Sequence, residues 1–71
     1  MQNIVVISGG FDPIHSGHVS YINAAKEQGD LLYVGLNSNE WLVRKKGRYF
    51  LPLNERSNIV SNFTSVDKVL S

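Results

Sequence analysis

His15 and His18 stand three residues apart around Gly17, in the run Gly9-Gly10-Phe11-Asp12-Pro13-Ile14-His15-Ser16-Gly17-His18. At that spacing two imidazoles share one face of a helix. Each can donate to a phosphate oxygen or, when protonated, offset charge that builds on it. The chemistry this suits is phosphoryl-type transfer, where positioning and charge stabilisation carry most of the reaction and no covalent nucleophile is required. Gly17 keeps the surface between the rings open, and Gly9 and Gly10 let the backbone approach a ligand with no Cβ in the way. A zinc site is the weaker rival, because only two ligands are in view and the chain has no cysteine. The bland alternative is a pair of surface histidines at a helix start. Two of them around a glycine, directly after Gly-Gly-Phe-Asp, favour the functional reading.

Such a site needs a strand to deliver the loop and a helix N-terminus to receive the anion. Asn3 to Ser8, Asn-Ile-Val-Val-Ile-Ser, is a β-branched run that suits a strand buried on both faces and stops at Gly9-Gly10. A helical pattern follows from Ser16 to Gln28 through Val19, Ile22 and Ala25 or Lys26, with Ser16 as the expected N-cap and Gly29 at its end. Leu31 to Leu36 reads as a second buried strand. Ser38 can cap a short helix through Val43, with Trp41 and Leu42 inward, and Arg44 to Leu51 reads as a basic loop. Within it Arg44, Lys46 and Arg48 are expected to be solvated. Pro52 opens a helix from Leu53 to Phe63, and Val66 to Leu70 starts a third strand.

The order is β-α-β-α-β, the half-unit of a Rossmann-like, doubly wound α/β fold with a parallel sheet. Right-handed crossovers in a 3-2-1 strand order place every helix on one face. The other face would be bare, although the first two strands are apolar on both sides. Residues 1–71 therefore read as the N-terminal portion of a domain, either a fragment or a chain that completes itself as a homodimer.

Composition agrees and excludes several classes. With 42% hydrophobic and 18% charged residues the chain is too apolar for disorder. A net charge of +1 offers no bulk attraction to nucleic acid or membranes. No apolar run approaches the roughly 20 residues of a membrane span, and the N-terminus lacks the pattern of a secretion signal. The expectation is a cytoplasmic protein, in which Asn62-Phe63-Thr64 matches a glycosylation pattern by chance. Disulfides are excluded.

These residues resemble the cytidylyltransferase-like nucleotidyltransferases and their HxGH signature. The likeness runs on through Leu36-Asn37-Ser38-Asn39-Glu40, Lys45-Lys46-Gly47-Arg48, Pro52-Leu53-Asn54-Glu55-Arg56 and Val66-Asp67-Lys68-Val69. It is most similar to glycerol-3-phosphate cytidylyltransferases and to heptose nucleotidyltransferase domains. The resemblance implies transfer of CMP from CTP to a phosphorylated small alcohol or sugar, with pyrophosphate released and Mg2+ brought by the nucleotide. ATP, and so an adenylyltransferase, is the alternative within the superfamily; a non-catalytic nucleotide-binding half-domain is the alternative outside it. His15, His18 and Lys45 would be catalytic. Gly9, Gly10, Phe11, Asp12, Gly17 and Arg56 would line the nucleotide, with no protein metal site. Position 10 is glycine where many relatives have threonine, and position 39 is asparagine where cytidylyltransferases often have aspartate. The family's second, serine/threonine-rich half has no counterpart in these residues.

Overall fold

Strand alternation decides which side of the sheet becomes the core. The computed structural model describes residues 2–71 and contains a parallel sheet of β1 (Ile4–Gly9), β2 (Leu31–Leu36) and β3 (Lys68–Leu70), in that spatial order. The register pairs Val5 with Leu32, Ile7 with Val34, and Val34 with Val69. These side chains point to one face and meet Ile22, Ala25 and Val60 from the helices. The expected half-unit, with its helices on one face, is what forms. The opposite face presents Ile4 and Val6, which are 51% and 61% exposed, together with Tyr33 and Leu70.

Three helices connect the strands: α1 (Ser16–Lys26), α2 (Asn39–Lys46) and α3 (Leu53–Ser61). Ile22 and Ala25 are the buried stripe of α1, while Val19 is exposed. Ser38 caps α2 as expected, its hydroxyl accepting the Trp41 N–H at 3.0 Å. The helix does not stop at Val43. It runs through Arg44, Lys45 and Lys46 and ends at Gly47, whose φ of 88° is the left-handed conformation of a helix-terminating glycine. Three cations in the last turn complement the negative end of the helix dipole, so the basic segment is helix, not loop. Leu42 is the buried residue of α2; Trp41 lies on its outer side and is exposed, contrary to its expected place in the core. Pro52 stands at the N-cap of α3, which buries Val60 and Arg56. Before β3, Asp67 accepts the Leu32 N–H at 2.7 Å and pairs with Lys26 at 2.7 Å, tying α1 to the sheet. No helix among the described residues is long and apolar enough to cross a membrane.

Candidate active site

The loop after β1 ends in a helix cap built from the two signature histidines. His15, not Ser16, is the N-cap of α1, in extended backbone. Its Nδ1 accepts the Gly17 N–H at 3.0 Å, and its own N–H donates to Nδ1 of His18 at 3.1 Å. This reciprocal capping box uses imidazoles where serine and glutamate are usual. The rings stack with centroids 4.1 Å apart, and His18 also lies 5.0 Å from the ring of Phe11.

The cap has a chemical consequence. With both Nδ1 atoms accepting from backbone, the hydrogen-bond pattern assigns each neutral ring as the Nε2–H tautomer. Each Nε2–H is then free of the cap and able to donate. Burial holds His18 below the ordinary histidine pKa, and the adjacent His15 lowers it further, so the neutral form is favoured. The helix start offers fewer open amides than the spacing suggested. Gly17 N–H goes to His15 Nδ1 and His18 N–H to the His15 carbonyl at 2.9 Å, which leaves Ser16 N–H without an acceptor among the described residues. The imidazoles take over as donors at the positive end of α1.

Gly17 has a reason to be glycine. A Cβ there would lie 2.8 Å from Cε1 of His15, so the ring could not keep its place. At Gly10 a Cβ would meet Leu42 Cδ2 at 2.9 Å, and at Gly9 the Phe11 ring at 3.1 Å. What the missing side chains of Gly9 and Gly10 admit is therefore protein. Phe11, with φ of 50°, turns its ring into the core at 4% exposure.

Asp12 and Arg56 hold the loop and are not open to a ligand. The Asp12 carboxylate accepts N–H bonds from Phe50 and Leu51, both at 2.6 Å. Its side chain is fully buried. Arg56 is fully buried as well. Its Nε donates to the Leu51 carbonyl at 2.9 Å, Nη1 to the Gly10 and Asn37 carbonyls at 3.0 and 2.7 Å, and Nη2 to Asn39 Oδ1 at 2.9 Å. Four of the five donors are spent on protein. Arg56 thus fastens the ends of β1 and β2 to the loop before α3, with no exposed surface of its own.

Two residues of this network were not among the expected site residues. Lys46 Nζ donates to the Asp12 carbonyl at 2.6 Å and lies 3.7 Å from Oδ2, so it is anchored to the signature loop while its side chain stays exposed, as expected. Asn39 Oδ1 accepts both the Leu53 N–H at 2.8 Å and Arg56 Nη2. Gly47 was the available signal for Lys46: a glycine behind three basic residues marks a helix end. Lys45 is exposed, and its side chain makes no hydrogen bond or ion pair among the described residues. A surface pocket of about 370 Å³ lies beside α2, lined by Asn39, Glu40, Val43, Arg44 and Tyr49. It includes none of the signature residues. No cluster of three or more metal-ligating side chains occurs among the described residues.

Comparison with known proteins shows the family. The cytidylyltransferase-like family model matches residues 6–71. The bifunctional proteins HldE of Aliivibrio fischeri and Helicobacter pylori are 41% identical over 71 residues, and that of Psychromonas ingrahamii is 37% identical. Each alignment covers 97% of this chain but 15% of the relative. The crystal structure of the lipopolysaccharide core biosynthesis protein from Thermoplasma volcanium superimposes with a TM-score of 0.92 at 26% identity. That match covers 99% of this chain and 57% of the other. The chain spans a small part of the HldE relatives and a little over half of the solved protein. With its signature assembled as an imidazole cap at the end of β1, the chain belongs to the cytidylyltransferase-like family of nucleotidyltransferases.

Proposed function

We propose that the chain forms the triphosphate-holding half of a cytoplasmic nucleotidyltransferase site that moves CMP from CTP to a phosphorylated small alcohol or sugar. The observation that carries this reading is the stacked His15–His18 pair, with both Nδ1 atoms committed to backbone and both Nε2–H groups left to donate. An acceptor phosphate oxygen attacks the α-phosphorus, the bond to the β-phosphate oxygen breaks, and pyrophosphate leaves. Neutral Nε2–H donors bind the charge that grows on the phosphate oxygens, and the positive end of α1 adds to the same field. Lys45, exposed at the last turn of α2, would bridge nucleotide and acceptor phosphates. A sugar phosphate is the favoured acceptor, given the likeness to HldE and to a lipopolysaccharide core biosynthesis protein.

Magnesium would enter on the triphosphate. The one carboxylate of the signature, Asp12, is occupied by two backbone N–H groups and Lys46, so the donor set offers no protein carboxylate to a metal. Bound to the phosphates, the ion would supply charge neutralisation for the leaving pyrophosphate.

The test is pyrophosphate release from CTP and Mg2+ across a panel of phosphorylated alcohols and sugars, with ATP in parallel. Release with CTP and a sugar phosphate is expected from a chain that contains the complete domain. Absence of release with either nucleotide across the panel would sink the proposal. Release with ATP alone would reassign the nucleotide. A second reading has its own support: residues 2–71 match 57% of the solved relative and leave one sheet face exposed. On that reading the 71 residues bind nucleotide without turnover, or complete themselves as a homodimer. CTP binding without pyrophosphate release by this chain alone is its signature.

A further inference from the structure

Arg56 carries a full positive charge with no exposure to solvent, and no carboxylate forms an ion pair with it among the described residues. Its four hydrogen bonds end on neutral oxygens, those of Leu51, Gly10, Asn37 and Asn39. The acid nearest in the network, Asp12, is engaged by Lys46 and by the Phe50 and Leu51 amides. Buried charges in proteins are ordinarily paired. Neutral dipoles satisfy the N–H groups of the guanidinium, and Asp12 meets it only through the backbone of Leu51, without a direct ion pair. The group sits on the carbonyls of Gly10 and Asn37, just past the carboxyl ends of β1 and β2, on the side of the sheet where ligands bind in this architecture. A charge shielded from water is screened weakly and is felt over several ångströms.

We infer that Asn39 tunes anion affinity: by meeting Arg56 with an amide oxygen in place of a carboxylate, it leaves the buried charge to act through space on an anion held at His15 and His18. The assignment of Oδ1 is unambiguous because two donors, Leu53 N–H and Arg56 Nη2, converge on it. Asn39 is a positioning residue with an electrostatic duty, and Arg56 works without touching the ligand. The inference rests on the nucleotidyltransferase reading only for the identity of the anion.

Asn39→Asp separates this duty from a structural one. The substitution keeps an oxygen for both donors and adds a charge that neutralises Arg56. A purely structural role predicts unchanged or tighter binding, since the new ion pair reinforces the loop. The inference predicts that affinity for inorganic pyrophosphate, and for CTP with Mg2+, falls roughly three- to tenfold at low ionic strength, with the melting temperature held or raised. It also predicts that the NMR titration of His18 moves to higher pH, because negative charge has been added nearby. Unchanged affinity together with an unchanged His18 titration would overturn it. If the unsubstituted chain binds neither probe, the nucleotide reading fails, and the His18 titration alone decides this inference. Should Asn39→Asp not fold, Arg56→Lys and Arg56→Gln replace it. Both lose the guanidinium fork, but only lysine keeps the charge. Better anion binding by the lysine variant supports the inference, and equal losses in the two refute it.

Discussion

Asp12 and Arg56 grip one residue, Leu51, by its two backbone groups: the carboxylate accepts the Leu51 N–H at 2.6 Å, and the guanidinium donates to the Leu51 carbonyl at 2.9 Å. Asp12 also receives the Phe50 N–H, and its carbonyl receives Lys46 Nζ. The short turn Gly47–Tyr49 is therefore fastened at both ends to the signature loop. A residue that looks like a ligand contact in the sequence is the tether of a neighbouring loop.

Replacing Asp12 with asparagine should be costly for that reason. The amide retains one acceptor oxygen and turns an NH2 group toward the second backbone N–H, leaving a buried donor unsatisfied. The expected loss is about 1–3 kcal/mol. Chains of this size hold about 4–10 kcal/mol in total, so the urea midpoint should drop visibly. An unmoved midpoint would show that the tether contributes nothing to folding.

Gly17→Ala should divide stability from binding. Alanine is the better helix former by up to about 1 kcal/mol, so the fold should survive. The new Cβ falls 2.8 Å from His15 Cε1 and must displace the ring. Calorimetry with CTP and Mg2+ is expected to show affinity reduced by roughly tenfold or more, corresponding to about 1.4 kcal/mol. Wild-type affinity in a folded variant would mean that the ring position is irrelevant to the ligand.

Acid should weaken the fold through His18. Its folded pKa lies below the unfolded one, chiefly because of burial and then because of His15, so folding favours the neutral ring. That contribution is complete above the unfolded value of about 6.5 and is lost as pH falls through the lowered folded value. Protonation of Nδ1 would also remove the acceptor for the His15 N–H. Asp67 is lowered as well, by the Lys26 hydrogen bond first and the Leu32 amide second, and its stabilisation disappears only below the ordinary carboxylate range. His18→Gln keeps an acceptor at this third helical position without titrating, so its melting temperature should vary less between pH 7 and 5 than that of the parent. Parallel pH profiles would exclude His18 as the source.

The bare sheet face should make the isolated chain associate. Ile4, Val6 and Leu70 expose apolar side chains beside Tyr33, and β1 leaves one edge unpaired. Sedimentation of the 71-residue chain is expected to show self-association that Val6→Lys reduces without lowering the melting temperature. A monodisperse monomer at high concentration would contradict this.

Much of the architecture was legible because it is written in local patterns. The apolar runs at Ile4–Ile7 and Leu31–Leu36 announce strands, Ser38 announces a cap, and apolarity on both sides of β1 and β2 announces a second face in need of cover. Other features escaped for physical reasons. His15 is an unusual N-cap, and an imidazole serving as acceptor has no place in the common Ser/Thr/Asp/Asn preference. The burial of Arg56 depends on carbonyls from Gly10, Asn37 and Leu51, which lie on three separate segments, and no spacing rule brings those together. The helical state of Arg44 to Lys46 was hidden by their charge, since solvated basic residues fit a loop and a dipole-complementing last turn equally well. The site was thus readable in its chemistry and less so in its supports.

The imidazole cap also bears on what the signature can report. Gly17 is demanded by the ring of His15, and the two rings are fixed by the amides of His15 and Gly17, so the motif's internal spacing is satisfied before any substrate arrives. A pattern that is self-consistent in this way can be inherited unchanged while the rest of the pocket diverges to new bases and new acceptors. In this chain the histidine run is a self-supporting way of presenting two N–H donors. Selectivity has to evolve around it, at positions such as Asn39, where one atom can alter the field without disturbing the scaffold.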